Sequence, residues 1–201
     1  MKKIVILDYG TGNILSLTRS LNYIGIRPIV SNSKNEILKA SHLILPGVGA
    51  FSTGMKLLNH HKLPNIIKEY VSKNKPLLGI CLGMQLLFQE SNEFGKHIGL
   101  GLIKGKVKKI SYPKINVPII GWYKLETSGK NIISKQYKKY MYFVHSYQAF
   151  PKNKDAIKAT YKIKNKSMVA AVNENNVYGF QFHPEKSSFD GLKLLKDFVN
   201  L

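Results

Sequence analysis

Residues 75–90 read KPLLGICLGMQLLFQE, and this stretch decides the fold. An apolar run ends at residues 79–83, GICLG, and gives way to a helical pattern, which predicts a buried strand followed at once by a helix. The spacing is the cysteine counterpart of the Gly-x-Ser-x-Gly nucleophile elbow, a sharp turn in which the flanking glycines avoid steric overlap. We therefore predict that Cys81, the only cysteine of the chain, is a reactive nucleophile near a helix N-terminus and not merely a small buried side chain.

The first half of the chain alternates strands and helices around this stretch. Strand-like runs are KKIVIL, RPIVS, HLILPG and PLLGI, and helical patterns lie between them at residues 13–25, near 34–40 and from about 50 to 73. Because parallel strands are joined by crossover helices, the alternation predicts a parallel sheet with helices on both faces.

After about residue 98 the pattern changes to strand-like segments separated by turns, and a last helical segment, FDGLKLLKDFVNL, closes the chain. No linker, repeat or low-complexity tract separates these parts, and 201 residues suit one globular unit. We predict a single domain over residues 1–201, with an α/β, flavodoxin-like open sheet. The sheet is expected to be mostly parallel, with helices on both faces and an additional antiparallel strand section in the second half.

The formal charge of +20 invites a nucleic-acid or membrane-surface interpretation. Only two of the 31 basic residues, Arg19 and Arg27, are arginines, and the lysines are spread from end to end. Readers of bases and phosphates favour clustered arginines with their bidentate geometry. We expect no dedicated nucleic-acid binding, although a basic binding module remains a remote alternative.

Cysteine usage and hydropathy limit the cellular setting. A single cysteine excludes a disulfide framework and any thiolate zinc site, which favours a reducing compartment. No apolar stretch approaches the roughly 18 residues that a membrane-spanning helix needs, and the N-terminus is typical of a first strand, not of a signal peptide. We expect a cytoplasmic protein that does not bind a membrane.

A thiolate nucleophile needs a partner that handles protons, and two of the six histidines are candidates. These are His145 and His183. We assign no catalytic role to the other four, because His60 and His61 lie in a polar helix end and His42 and His97 lie beside strands in ordinary sequence surroundings. Pro184 drives His183 towards an extended conformation, in which Glu185 would share a side with the imidazole and orient it. The order Cys81, His183, Glu185 has the nucleophile, base and orienting group of a catalytic triad.

Two glycine-rich loops follow strands. Residues 46–49, PGVG, follow the third strand, and their amide groups could stabilise an oxyanion at the carboxyl edge of the sheet. The loop DYGTGNIL resembles a dinucleotide fingerprint, but Leu15 stands where the third glycine is needed. We expect an oxyanion site at residues 46–49 and no nucleotide site at the loop DYGTGNIL.

The motifs GICLGMQ, PGVG and QFHPEKS together resemble the class I, triad-type glutamine amidotransferases over essentially the whole chain. More narrowly, DYGTGN, LPGVGAF, GICLGMQLLF, YFVHSY and FHPEKS resemble the glutaminase subunits of imidazole glycerol phosphate synthase. In this family the subunit hydrolyses glutamine and forms a heterodimer with a (β/α)8-barrel cyclase of histidine biosynthesis. The cyclase takes up the released ammonia. The resemblance implies no metal and no organic cofactor.

The resemblance also implies roles for individual residues. Cys81 would attack the glutamine amide, His183 would transfer protons and Glu185 would orient His183. The oxyanion site would involve Val48, Gly49 and Leu82. Glutamine would be bound by Gln85, Glu93, Ser146 and Tyr147. The barrel partner would face Asn13, Trp122, Tyr142 and Lys186. The isolated chain is expected to hydrolyse glutamine poorly until the partner binds.

One segment departs from the family pattern. Ile119 and Tyr123 flank Gly121-Trp122 where the family usually has a histidine or glutamine and an asparagine. We expect these two side chains to lie on the partner-facing side, which leaves the glutaminase chemistry intact and bears on the pathway. A paralogous glutaminase that supplies ammonia for amidino sugars of surface polysaccharides is the alternative. A cysteine peptidase or a glyoxalase-like relative is a further one.

Overall fold

The computed structural model describes residues 2–127 and 140–201 of the chain. Its first half alternates strands and helices: β1 (Ile4–Leu7), α1 (Ile14–Tyr23), β2 (Ile29–Ser31), α2 (Lys34–Lys39), β3 (His42–Leu45), α3 (Phe51–His60), α4 (Leu63–Ser72), β4 (Leu77–Ile80) and α5 (Leu82–Leu86). Its second half is mostly strands: β5 (Phe88–Ser91), β6 (His97–Ile98), β7 (Ile103–Lys109), β8 (Ile119–Thr127), β9 (Tyr140–His145), β10 (Tyr147–Pro151), β11 (Ile157–Ile163), β12 (Lys166–Glu174), β13 (Val177–Phe180) and the final helix α6 (Ser188–Val199). Short 3₁₀ helices cover Lys154–Ala156 and Pro184–Lys186.

The large sheet has nine strands in the order β2-β1-β3-β4-β13-β12-β11-β8-β9. Neighbouring strands from β2 to β13 run parallel in the flavodoxin-like order, and those from β13 to β9 run antiparallel. A second sheet has four strands in the order β10-β7-β5-β6. The predicted fold class, including the antiparallel section in the second half, is confirmed.

Helices cover both faces of the parallel half because its strands alternate between two apolar cores. Ile4 and Ile6 share one core with residues of α1 and α6. Val5 and Leu7 share the other core with residues of α2, α3 and α4. Every residue of β1, β3 and β4 is buried, as expected for strands covered on both sides. No helix among the described residues is long and apolar enough to cross a membrane.

The turn between β4 and α5 requires its two glycines. A Cβ on Gly83 would overlap the carbonyl oxygen of Leu45, and one on Gly79 would lie 2.7 Å from the Gly83 backbone. Cys81 itself has φ of 53° and ψ of −110°, a conformation that residues with side chains rarely adopt. Close packing of the elbow against β3 therefore holds the cysteine at the carboxyl edge of the sheet.

Strand β8 has two different faces. Ile120 is 57% exposed and Trp122 is 49% exposed, whereas Ile119 is buried and the Tyr123 ring packs 5.9 Å from that of Phe143. The expectation that Ile119 lies on the partner-facing side is wrong, because its side chain is buried, whereas for Tyr123, which is partly exposed, it stays a prediction. Alternation along the strand turns both side chains towards the core, on the side opposite Trp122.

Candidate active site

Cys81 is held at the carboxyl end of β4 by its backbone and is nearly enclosed. Its amide donates a hydrogen bond of 2.7 Å to the Phe180 carbonyl, and its side chain is largely buried. The sulfur lies 3.9 Å from the Val144 carbonyl oxygen and 3.9 Å from the side-chain nitrogen of Gln181. The thiol therefore meets polar groups from both the parallel and the antiparallel half of the sheet.

The imidazole of His183 is paired with a buried carboxylate. Nδ1 of His183 lies 2.8 Å from Oε1 of Glu185, and both side chains are only 3% exposed. The predicted pair is present, but its local geometry differs from the prediction. His183 is extended, and Pro184 then starts a 3₁₀ turn that folds Glu185 back onto the ring, so the two do not lie along one extended strand.

The protonation state of His183 is set by its two neighbours. Burial alone lowers the pKa of His183, but the interactions with Cys81 and Glu185 outweigh it and raise the pKa to about 10. Nδ1 donates its hydrogen to Glu185, while Nε2 is buried without a hydrogen-bond partner among the described residues. The ring is thus favoured as an imidazolium that can stabilise negative charge on the Cys81 sulfur and deliver a proton from Nε2.

A cavity of about 320 Å³ opens beside Cys81. Its wall contains both groups of the predicted nucleophile–base pair, Cys81 and His183. It also contains seven of the other predicted site residues, namely Val48, Gly49, Leu82, Gln85, Glu93, Ser146 and Tyr147. The structure thus brings together residues that are up to 135 positions apart in the chain, such as Val48 and His183. Glu185 is not part of this wall and contacts His183 from behind.

Two polar side chains of the cavity have fixed orientations. Oε2 of Glu93 accepts a hydrogen bond of 2.6 Å from the Phe51 amide at the start of α3. Nε2 of Gln85 donates at 3.1 Å to the Tyr147 carbonyl and at 3.1 Å to Oε1 of Gln181. The Glu93 carboxylate and the Gln85 amide are therefore held in place in the cavity wall, where they suit an amino acid substrate.

The loop of residues 46–49 is anchored at one end. Tyr9 donates a buried hydrogen bond of 2.6 Å to the Pro46 carbonyl, whereas the bond from the Thr11 hydroxyl to the Val48 carbonyl, 2.7 Å long, is exposed. Gly49 has φ of +100°, which favours glycine. The loop therefore has a firm base at Pro46 and an accessible tip beside Cys81.

The predicted partner-facing residues lie outside this cavity. Trp122 and Tyr142 make an edge-to-face contact at 5.9 Å, and Nζ of Lys186 lies 5.9 Å from the centre of the Tyr142 ring. Asn13 instead lines a small void with His183 and Glu185. Three of the four residues thus form one surface cluster, and the fourth lies next to the histidine–carboxylate pair.

Sequence reasoning missed two groups that contact the Cys81 sulfur. Val144 contributes only its carbonyl, which no sequence pattern could mark. Gln181 is completely buried, and its position two residues before His183 in the run YGFQFH was a usable signal, because a buried amide inside an apolar strand needs partners. Among the described residues, no group of three or more histidine, cysteine, aspartate or glutamate side chains could hold a metal ion.

An elbow cysteine that faces a buried histidine–carboxylate pair, on a sheet of this strand order, defines a class I glutamine amidotransferase. Residues 5–201 match the model of the family Glutamine amidotransferase class-I, to which the chain belongs. Two solved structures share the fold. PurLQS from Thermotoga maritima has a TM-score of 0.76 at 23% identity, with 100% of this chain and 99% of that chain covered. A second glutamine amidotransferase has a TM-score of 0.75 at 18% identity, with 98% and 97% covered.

Three curated relatives all belong to one group within this family. The imidazole glycerol phosphate synthase subunit HisH of Chlorobaculum tepidum is 37% identical over 98% of this chain and 98% of its own length. The corresponding subunits of Cyanophora paradoxa, 45% identical over 98% and 93%, and of Listeria monocytogenes serotype 4a, 43% identical over 97% and 94%, are similar. Within the class I family, the chain belongs to the HisH group.

Proposed function

We propose that this chain is the glutaminase subunit of an imidazole glycerol phosphate synthase and that Cys81 is its nucleophile. The thiolate attacks the side-chain amide carbon of glutamine, and the imidazolium of His183 gives its proton to the departing ammonia. Water, activated by the neutral ring, then cleaves the glutamyl thioester and releases glutamate. The observation that carries this proposal is the position of Cys81, which lies on a strained turn and shares a cavity wall with His183. Nδ1 of this histidine is bound to Glu185.

The cavity supplies the other parts of an acyl-transfer site. The amide groups of Gly49 and Leu82 would stabilise the oxyanion, once the exposed tip of the loop at Val48 turns towards the cavity. Glu93 would bind the α-ammonium group of glutamine, since its second carboxylate oxygen is not used by Phe51. The backbone at Ser146 and Tyr147 would bind the α-carboxylate, and Gln85 would hold the same end of the substrate.

The partner in this proposal is a (β/α)8-barrel cyclase, which would receive ammonia and join it to a phosphorylated formimino ribulosyl nucleotide. The names of the relatives support a multisubunit enzyme. The exposed cluster of Trp122, Tyr142 and Lys186 offers two aromatic rings and a cation for such a contact, with Asn13 nearer the triad. We propose that binding there turns the oxyanion loop and so activates the subunit in the cytoplasm.

The alternative synthase of surface polysaccharides draws no support from the structure. It depends on Ile119 and Tyr123 facing the partner, but Ile119 is buried, and the ring of the partly exposed Tyr123 packs against Phe143.

The test is reconstitution with the barrel cyclase of the same genome, with glutamine as the only nitrogen source. We expect product formation that is abolished by Cys81→Ala, while free ammonia still supports the cyclase in the mutant complex. The isolated chain should release glutamate far more slowly than the complex. If glutamine fails to support wild-type turnover while ammonia succeeds, the chain serves another synthase. If Cys81→Ala keeps its glutamine-dependent activity, the proposed nucleophile is wrong.

A further inference from the structure

His145 is a buried histidine in the wall of the same cavity, and the proposed chemistry does not use it. It ends β9, and only 6% of its surface is exposed. Both ring nitrogens are engaged by the protein: Nδ1 lies 2.8 Å from the Tyr147 carbonyl oxygen, and Nε2 lies 2.7 Å from the Tyr161 hydroxyl. A histidine with both nitrogens occupied cannot exchange a proton with a substrate, so its role has to be sought in what it holds.

The partners of His145 fix its tautomer. A carbonyl oxygen can only accept, so Nδ1 must carry a hydrogen. Burial lowers the pKa of His145 to about 4, although the Tyr147 carbonyl opposes this effect and His183 adds to it. The ring is therefore neutral at pH 7, and Nε2 must accept from Tyr161. Burial, with a smaller effect of Tyr123, raises the pKa of Tyr161, so this phenol keeps the proton that it donates.

The hydrogen bond from His145 holds the turn between β9 and β10. The Tyr147 carbonyl accepts from His145 and from Gln85, and the Ser146 carbonyl accepts from the Ile110 amide at 2.9 Å. Both carbonyls of this turn are thus bound by protein donors, which leaves the dipeptide little freedom to rotate. The ring behind it is also fixed, because Tyr161 is fully buried.

We infer that His145 is a positioning residue: as the neutral tautomer with hydrogen on Nδ1, it fixes the Ser146–Tyr147 turn that binds the α-carboxylate of glutamine. This inference rests on the proposed function of the cavity. Since the contact with substrate is made by the turn, loss of His145 should weaken the binding of ligands that carry an α-amino acid group. It should have little effect on the intrinsic reactivity of Cys81.

Two substitutions of His145 distinguish the hydrogen bond from Nδ1 to the turn from the other contacts of the ring. In His145→Asn the amide nitrogen can replace Nδ1 as donor to Tyr147, whereas in His145→Gln the amide lies where Nε2 was and the turn loses its donor. In the complex with the partner subunit, we expect His145→Gln to raise KM for glutamine roughly tenfold or more, with a smaller change in kcat, and His145→Asn to stay within about threefold of wild type. His60→Asn, at an exposed end of α3, is the matched control.

Two labelling reagents give a second readout. A diazoketone analogue of glutamine needs the carboxylate site to reach Cys81, but iodoacetamide does not. We expect His145→Gln to slow labelling by the analogue and to leave labelling by iodoacetamide within about twofold of wild type. Equal slowing with both reagents, or an unchanged KM in a folded His145→Gln complex, would overturn the inference. Failure of the wild-type chain to react with the analogue would instead refute the proposed function itself.

The tautomer can be measured in the wild-type complex even if a variant does not fold. Long-range proton–nitrogen spectra of a histidine-labelled chain, with the ring signals assigned to individual residues through the backbone, should show His145 with hydrogen on Nδ1 alone between pH 5.5 and 8, roughly the range in which a free imidazole titrates. The assignment is needed because His42 also has a lowered pKa and a contact of 3.2 Å from Nδ1 to the Ser41 hydroxyl. A His145 signal with hydrogen on Nε2, or one that titrates in this range, would contradict the inference.

Discussion

The contact between His183 and Glu185 allows a quantitative test of the triad through Glu185→Gln. The carboxylate lies 2.8 Å from Nδ1, and both side chains are almost fully enclosed, so their hydrogen bond is charge-assisted and poorly screened. Replacing a charge-assisted bond by a neutral one of the same length costs roughly 1 to 2 kcal/mol, or a roughly five- to thirtyfold weaker preference for the imidazolium. The pKa of His183 should fall accordingly from about 10.

A second effect adds to the first. The new amide can turn its nitrogen towards Nδ1, which would make Nδ1 an acceptor and place the hydrogen on Nε2, the wrong tautomer for a base. In serine proteases the analogous aspartate-to-asparagine change costs about 10⁴ in kcat. We therefore expect kcat of the Glu185→Gln complex to fall at least roughly thirtyfold, with KM for glutamine nearly unchanged.

Two assays check this expectation. Glutamate release by the complex gives kcat and KM, and alkylation of the single cysteine from pH 5 to 9 reports how readily Cys81 forms a thiolate. We expect the alkylation profile of Glu185→Gln to move to higher pH. Glu126→Gln, at an exposed ion pair with Lys162, serves as control and should behave as wild type. A kcat within threefold of wild type, with an unchanged alkylation profile, would refute the proposed role of Glu185.

Three further predictions concern single residues. Gly83→Ala should destabilise the chain by roughly 3 kcal/mol or more in urea unfolding, because its Cβ would overlap the Leu45 carbonyl, and wild-type stability would contradict the packing of the elbow. Glu93→Gln should raise KM for glutamine at least roughly tenfold with little change in kcat, since it keeps the shape of the contact with Phe51 and loses the charge. His145 has a folded pKa of about 4, below the value of 6.5 expected when it is exposed, so it favours unfolding as pH falls from 6.5 to 4. Wild type should therefore lose stability more steeply than His145→Asn over that interval, by roughly 2 to 3 kcal/mol at its lower end, and parallel profiles would refute the buried neutral ring.

The parallel half and the sharp turn at Cys81 were predictable because local rules decide them. The glycines at 79 and 83 mark the elbow, and the structure gives the same steric reason for them. Burial of all four residues in β1 and in β4 leaves an uninterrupted apolar run that the sequence displays directly, and β3 differs only by the buried His42 at its start. The residues around Cys81 gathered as predicted because the carboxyl ends of parallel strands meet at one edge.

The second sheet could not be predicted in this way, since its pairings join segments that are far apart. Tyr147 on β10 pairs with Lys109 on β7, and β5 pairs with β7 as well. The helical pattern after the elbow is also cut short: α5 ends at Leu86, and Phe88 begins a strand, because pairing with Ile103 overrides the local apolar spacing. Tertiary contacts of this kind leave no local signal in the chain.

Strand β8 explains why the unusual residue Tyr123 need not change the function of the chain. Its outward side carries Trp122, in contact with Tyr142, whereas its inward side carries Tyr123, whose ring packs 5.2 Å from that of Tyr161. Tyr161 in turn donates to His145, which holds the turn at the α-carboxylate end of the cavity. We therefore expect a substitution at Tyr123 to act on the interior support of the proposed glutamine site and not on the cluster of Trp122, Tyr142 and Lys186. Since the two faces of one strand have separate neighbours, the departure at Tyr123 is compatible with the proposed partner.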